Sequence, residues 1–79
     1  MSQWLVYILE CNDNSLYTGI TNDLERRIQQ HTAGEGAKYT RGRGPFRLVY
    51  KEVCKDRGAA SRREIEIKSF TREQKLALT

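Results

Sequence analysis

Cysteine, histidine and proline are nearly missing from these 79 residues: two Cys, one His and one Pro. Cys11 and Cys54 are too few for a disulfide framework and lack CxxC or Cys/His metal spacing, so both are expected as free, buried thiols. With His31 alone, a zinc site, a His-paired nucleophile and a Ser-His-Asp triad are all disfavoured. No apolar run approaches the roughly 20 residues of a membrane span, and the start Met1-Ser2-Gln3-Trp4 lacks the charged opening of a signal peptide. A cytoplasmic protein with no membrane partner is expected. The length excludes an enzyme with separate substrate and cofactor domains and points to one domain over residues 1–79.

What is present is positive charge. Lys plus Arg number 14 against 10 Asp plus Glu, a formal +4, which favours a polyanionic partner and nucleic acid first. Residues 36–51 hold five of these cations (Lys38, Arg41, Arg43, Arg47, Lys51), three glycines, Pro45 and no acid. This stretch reads as a flexible cationic loop whose backbone amides and side chains meet phosphates, with Tyr39 able to stack on a base.

Trp4 to Cys11 is apolar on both alternating faces, as in a central strand covered on two sides. Asn12-Asp13-Asn14 is a turn, and Leu16 to Thr21 resumes as a second strand. A turn centred on Asp13 sets Tyr7 opposite Gly19 and Leu9 opposite Tyr17, so Tyr7, Tyr17 and Gly19 share a face. Asn22 with Glu25 predicts an N-cap and capping box for a helix over 23–33, stopped by Gly34. On it Leu24, Arg27, Ile28 and His31 share one face, placing Arg27 and His31 beside the apolar stripe. Phe46 to Val53 alternates as a third strand, with Phe46, Leu48 and Tyr50 on one side. Asp56 caps a helix over 57–68, and Thr71 with Gln74 caps a short last one.

In order along the chain stand Val6-Tyr7-Ile8, Tyr17-Thr18-Gly19, Arg27 with His31 on a helix, and Glu64 on a later helix. Between them lie Gly19-Ile-Thr-Asn-Asp-Leu-Glu-Arg-Arg27 and Gly34-Glu-Gly-Ala-Lys-Tyr-Thr-Arg-Gly-Arg43. Over nearly its whole length the chain resembles the GIY-YIG nuclease superfamily, and within it a small stand-alone bacterial group. The first motif lacks its initial Gly, and the second reads Tyr-Thr-Gly.

The resemblance implies an α+β fold, a three-stranded antiparallel sheet flanked by helices in the order β-β-α-β-α-α. It implies a metal-dependent endonuclease that hydrolyses phosphodiester bonds in DNA, with RNA the less favoured substrate, with one Mg²⁺ or Mn²⁺ and a role in DNA repair or recombination. Its size implies structure-selective cutting, or a partner protein that supplies recognition. Such chemistry needs a deprotonated nucleophile, neutralised phosphate charge and a stabilised leaving oxygen. In this pattern Glu64 holds the metal, being a hard oxygen donor, and Arg27 clamps the phosphate. Tyr7 and Tyr17 supply the base and orient the water, Tyr17 being favoured as base, on condition that Arg27 and the metal favour an ionised phenol. His31 touches phosphate or relays a proton, while Gly19 keeps the groove open. Lys38, Tyr39, Arg41 and Arg43 contact the strand.

Each residue has a plainer reading. The tyrosines pack across strands, Arg27 snorkels, His31 suits a helix C-terminus, and Glu64 pairs with Lys68 one turn on. The competing functions are a non-catalytic nucleic-acid-binding module of the same fold and a protein-interaction domain whose charge serves solubility. The absence of acids from 36–51 argues against the last.

Overall fold

The structure, a computed structural model, describes residues 3–79. The order is β1 (Leu5–Glu10), β2 (Leu16–Thr21), α1 (Leu24–Thr32), a single 3₁₀ turn at Lys38–Thr40, β3 (Arg47–Val53), α2 (Arg57–Lys68) and α3 (Arg72–Ala77). The sheet is antiparallel in the order β2-β1-β3. This is the expected α+β arrangement.

Because β1 is central and covered on both faces, Val6, Tyr7, Ile8 and Leu9 are all fully buried. Val6 and Ile8 face Ile67 of α2, and Phe70 and Leu78 close the same core from the chain's last segment. Burying each of Val6, Ile8 and Ile67 contributes about 1.5–3 kcal/mol. The other face carries Tyr7, paired with Gly19, and Leu9, paired with Tyr17. Asp13 sets that register: its carboxylate accepts from the Ser15 amide at 3.0 Å, and Asn14 takes a left-handed φ of 66° that asparagine tolerates.

Three expectations are corrected. The cap of α1 is Asp23, which accepts from the Arg26 amide at 3.2 Å, and not Asn22. Asp23 is itself held through its amide by Thr21 Oγ1 at 3.0 Å, which moves the helix start by one residue. Glu25 then falls at the second helical position, where it favours the dipole without closing a capping box. In β3 the pairing jumps from Ile8–Tyr50 to Leu9–Leu48. That bulge leaves Val49 extra, so Tyr50 joins the Val6/Ile8 face and does not share the face of Leu48. The 36–51 loop, expected to be flexible, is tied to the β1–β2 turn. Asn12 donates its amide to Arg43 O and its side chain to Gly44 O, both at 2.7 Å, and Arg43 pairs with Asp13.

The two C-terminal helices match expectation. Asp56 caps α2 by accepting from the Ala59 amide at 2.8 Å, and Thr71 with Gln74 forms a full capping box on α3. Cys11 and Cys54 are free, Cys11 buried as expected but Cys54 only partly so.

Candidate active site

The site grows out of one backbone fact, that Gly19 sits opposite Tyr7. A β-carbon on Gly19 would lie 2.6 Å from the Tyr7 hydroxyl and 3.0 Å from Cε2 of Tyr17. The two rings therefore converge over the space a side chain would fill, with centroids 6.3 Å apart. From above, α1 lowers His31 between them, 6.0 Å from Tyr7 and 5.2 Å from Tyr17, both edge-on. His31 was expected at the margin of the apolar stripe. It is buried, with 1% of its surface exposed, because the chain after α1 folds back and covers it.

Hydrogen bonds fix how His31 is protonated. Thr40 has one proton, and its hydroxyl donates it to Ala37 O at 2.8 Å. The contact between Thr40 Oγ1 and His31 Nδ1, also 2.8 Å, must then be donated by the imidazole. The lone pair is left on Nε2, where it accepts from the Tyr7 hydroxyl at 2.8 Å. A directed chain results, Tyr7 to His31 to Thr40 to Ala37. It needs Gly36 as well, since a β-carbon there would stand 2.2 Å from His31 Nδ1.

Electrostatics hold this chain neutral. Burial, and then the nearby Arg27 charge, push the His31 pKa down to about 4. Burial pushes the Tyr7 phenol up to about 12, although Arg27 beside it pulls the other way. The condition that Arg27 makes the phenol acidic is thus not met at Tyr7, where desolvation outweighs the neighbouring charge. Tyr17 is only partly buried and meets solvent.

Arg27 donates to Gln30 Oε1 at 3.1 Å and borders a polar hollow of about 400 Å³ with Arg26, Asn22 and Asp23. Glu64 comes from α2, which packs on β1 and β2, and its charge is felt at Tyr7. It also pairs with Lys68 at 3.2 Å, as the plainer reading had it. Thus Tyr7, Tyr17, Gly19, Arg27 and His31 come together, with Glu64 in electrostatic reach.

The loop residues divide. Lys38 and Arg41 are exposed and carry no ion pair among the described residues. Arg43 is committed to Asp13 and lies 4.4 Å from the Tyr39 ring centre, and Tyr39 stacks on Tyr17 at 5.9 Å. Tyr39 thereby braces Tyr17, a part that sequence reasoning did not give it. Thr40, Gly36 and Asp13 were missed also. Thr40 and Gly36 stand in the loop stretch quoted for the resemblance, but only the fold shows what they touch.

Residues 3–77 match the GIY-YIG catalytic domain. The chain belongs to the GIY-YIG family. This places the GIY-YIG chain in a nuclease superfamily that acts on nucleic acid. It is 63% identical over 73 residues to a UPF0213 protein of Haloquadratum walsbyi, which covers 92% of this chain and 82% of that one. A UPF0213 protein of Staphylococcus haemolyticus is 54% identical over 78 residues, 99% of this chain and 95% of that one. The solution structure of a UPF0213 protein from Bacillus halodurans is 52% identical with a TM-score of 0.60, over 99% of this chain and 82% of that one. A second solution structure, of an E. faecalis protein, is 38% identical with a TM-score of 0.65, over 98% and 81%. In this GIY-YIG chain no helix among the described residues is long and apolar enough to cross a membrane.

A metal would have to use little. Among the described residues no three His, Cys, Asp or Glu side chains gather as a cage. The carboxylate whose charge acts on Tyr7 is that of Glu64, with its side chain 20% exposed. That donor set fits Mg²⁺ or Mn²⁺, which take their remaining ligands from water and substrate phosphate, and does not fit zinc.

Proposed function

We propose that this protein is an endonuclease that hydrolyses phosphodiester bonds in DNA, with Glu64 holding one Mg²⁺ or Mn²⁺. The observation that carries this is the convergence of two phenols, a buried imidazole and a guanidinium over a glycine gap, with a lone carboxylate alongside. A bound ion supplies neutralisation of charge on the phosphate oxygens.

The chain's own residues do the rest. Tyr17, the phenol of the pair that meets solvent, takes the proton of the attacking water when it is in its phenolate form. The water oxygen bonds to phosphorus as the bond from phosphorus to the leaving oxygen breaks, and that oxygen takes its proton from solvent. Tyr7, held as a neutral donor by its high pKa, fixes His31 and through it the wall of the groove. Arg27 binds a non-bridging oxygen as negative charge builds there. The missing side chain at Gly19 lets the strand's backbone approach both rings. Lys38 and Arg41 hold flanking phosphates. Selection falls on DNA structure, which suits a part in repair or recombination, alone or with a partner protein.

The competing reading, a binding module without turnover, is favoured by one observation, the Glu64–Lys68 pair that already satisfies the carboxylate. One experiment separates the two. Duplex, single-stranded, flap, junction and RNA substrates are incubated with Mg²⁺ or Mn²⁺, with Glu64→Ala beside the parent. Cutting by the parent that Glu64→Ala lacks, with DNA binding retained by both, is expected. Equal cutting by both removes Glu64 from the site, and salt-sensitive binding without cutting establishes the module.

A further inference from the structure

Around the outer edge of β2 runs a second hollow of about 360 Å³, lined by Leu16, Tyr17, Thr18, Tyr39, Lys68 and Lys75. It abuts the site at Tyr17 but uses cations that the function above leaves unassigned. Resting on the nucleic-acid reading of the site, we propose that this hollow is a phosphate subsite, holding one backbone phosphate of the DNA strand on the far side of Tyr17 from Arg27.

Four observations support it. First, Lys68 and Lys75 reach the same hollow from two different helices, and Lys75 has no ion pair among the described residues. Burial, and then the proximity of the Lys68 charge, lowers the Lys75 pKa, so two cationic side chains are held near one another at the hollow, Lys68 paired with Glu64 and Lys75 not. Second, Lys68 is bound only to Glu64. Were Glu64 to hold a cation instead, Lys68 would lose this partner and be left free at the hollow. Third, β2 is an edge strand, pairing with β1 alone, and its outer backbone donors lie along this side. Fourth, Thr18, at the wall of the hollow, carries the one buried side-chain oxygen among the described residues that has no hydrogen-bond partner. Buried hydroxyls are ordinarily paired, and one left unpaired costs stability, which a turn of the Thr18 side chain toward an anion in the hollow would recover. An anion with several acceptor oxygens suits two ammonium groups and a hydroxyl.

The test is binding without metal, so that cleavage plays no part, using a single-stranded DNA of about 12 nucleotides, within the span such grooves cover. Lys75→Gln should bind it about fivefold more weakly, with the slope of log affinity against log salt shallower by about 0.7, the value for one phosphate contact on a single strand. Oligonucleotides carrying one neutral methylphosphonate, moved along the strand, locate the contact. One position should weaken the parent and leave Lys75→Gln unchanged. Thr18→Val should weaken binding while raising the melting temperature, opposite signs that a purely structural threonine would not give. Equal sensitivity of parent and Lys75→Gln at every position overturns the subsite while leaving the nuclease reading standing. Failure of the parent to bind any DNA overturns both. Amide shifts at Thr18 and Lys75 with inorganic phosphate, but none with the oligonucleotide, would make this a site for the free anion and overturn the proposal.

Discussion

Acidifying the solution from pH 8 to pH 5 should weaken this fold through His31 alone by an amount the structure allows to be worked out. In the unfolded chain His31 titrates at its ordinary 6.5, whereas in the folded protein burial and Arg27 hold it near 4. The folded value is the lower one, so between those two pH values the unfolded chain binds more protons, and stability falls as pH falls. It is fully present above about pH 6.5 and its loss is complete below about pH 4. For one group with these two constants the loss between pH 8 and pH 5 is about 2 kcal/mol. In a domain of this size that lowers the melting temperature by about 8–16 °C. The assay is urea unfolding at a series of pH values, run beside His31→Gln, which fills much of the space and does not titrate. Carboxylates that titrate near pH 5 are common to both proteins and cancel in the difference. The parent should lose about 2 kcal/mol more than His31→Gln across this range. Parallel curves would refute the reasoning, because they would mean that the imidazole meets water in the folded state. A parent that gains relative to the variant would mean that the fold prefers the charged ring, with both nitrogens donating, Nδ1 to Thr40 and Nε2 to Tyr7.

Other perturbations test the same site from different sides. Gly19→Ala places a methyl 2.6 Å from the Tyr7 hydroxyl and should cost about 1–3 kcal/mol of stability together with cleavage, read by thermal melting and by the substrate panel; a fully active, equally stable variant would show that the rings yield freely. Thr40→Val removes the acceptor of the His31 Nδ1 proton and leaves that donor buried, so a loss of about 1–3 kcal/mol is expected, with the Nδ1 proton resonance shifted in an NMR spectrum. Lys38→Ala with Arg41→Ala should leave the melting temperature unchanged while making the salt slope of DNA binding shallower by about 1.4–1.8, depending on strandedness. Arg43→Ala should instead cost about 1 kcal/mol of stability, since it unfastens the Asp13 pair and the Tyr39 contact together.

These perturbations also mark the boundary between what local pattern conveys and what only the fold supplies. The β1–β2 register was legible because the short turn Asn12-Asp13-Asn14 leaves few pairings, and one centred on Asp13 sets Tyr7 opposite Gly19. The starts of α2 and α3 were legible because Asp56 and Thr71 bond to amides a few residues away. At α1 the same rule pointed to Asn22, since from spacing alone nothing shows that Thr21 holds Asp23 and shifts the start. The bulge at Val49 was invisible, because no glycine or proline marks it; it arises where β3 must satisfy one face near Phe46 and the opposite face at Tyr50. What makes a site out of the motif residues lies further from the local pattern. His31 becomes a fixed, neutral acceptor only because Thr40, nine residues on, presents an oxygen whose own proton is committed to Ala37. Thr40 stays there because its loop is fastened by Arg43 to Asp13, thirty residues away and in a turn with no chemistry of its own. The tyrosines and the arginine could be read from sequence because their chemical types suit the reaction. The residues that hold them, a threonine, a glycine and an aspartate, have types that suit many purposes, and only their placement gives them one.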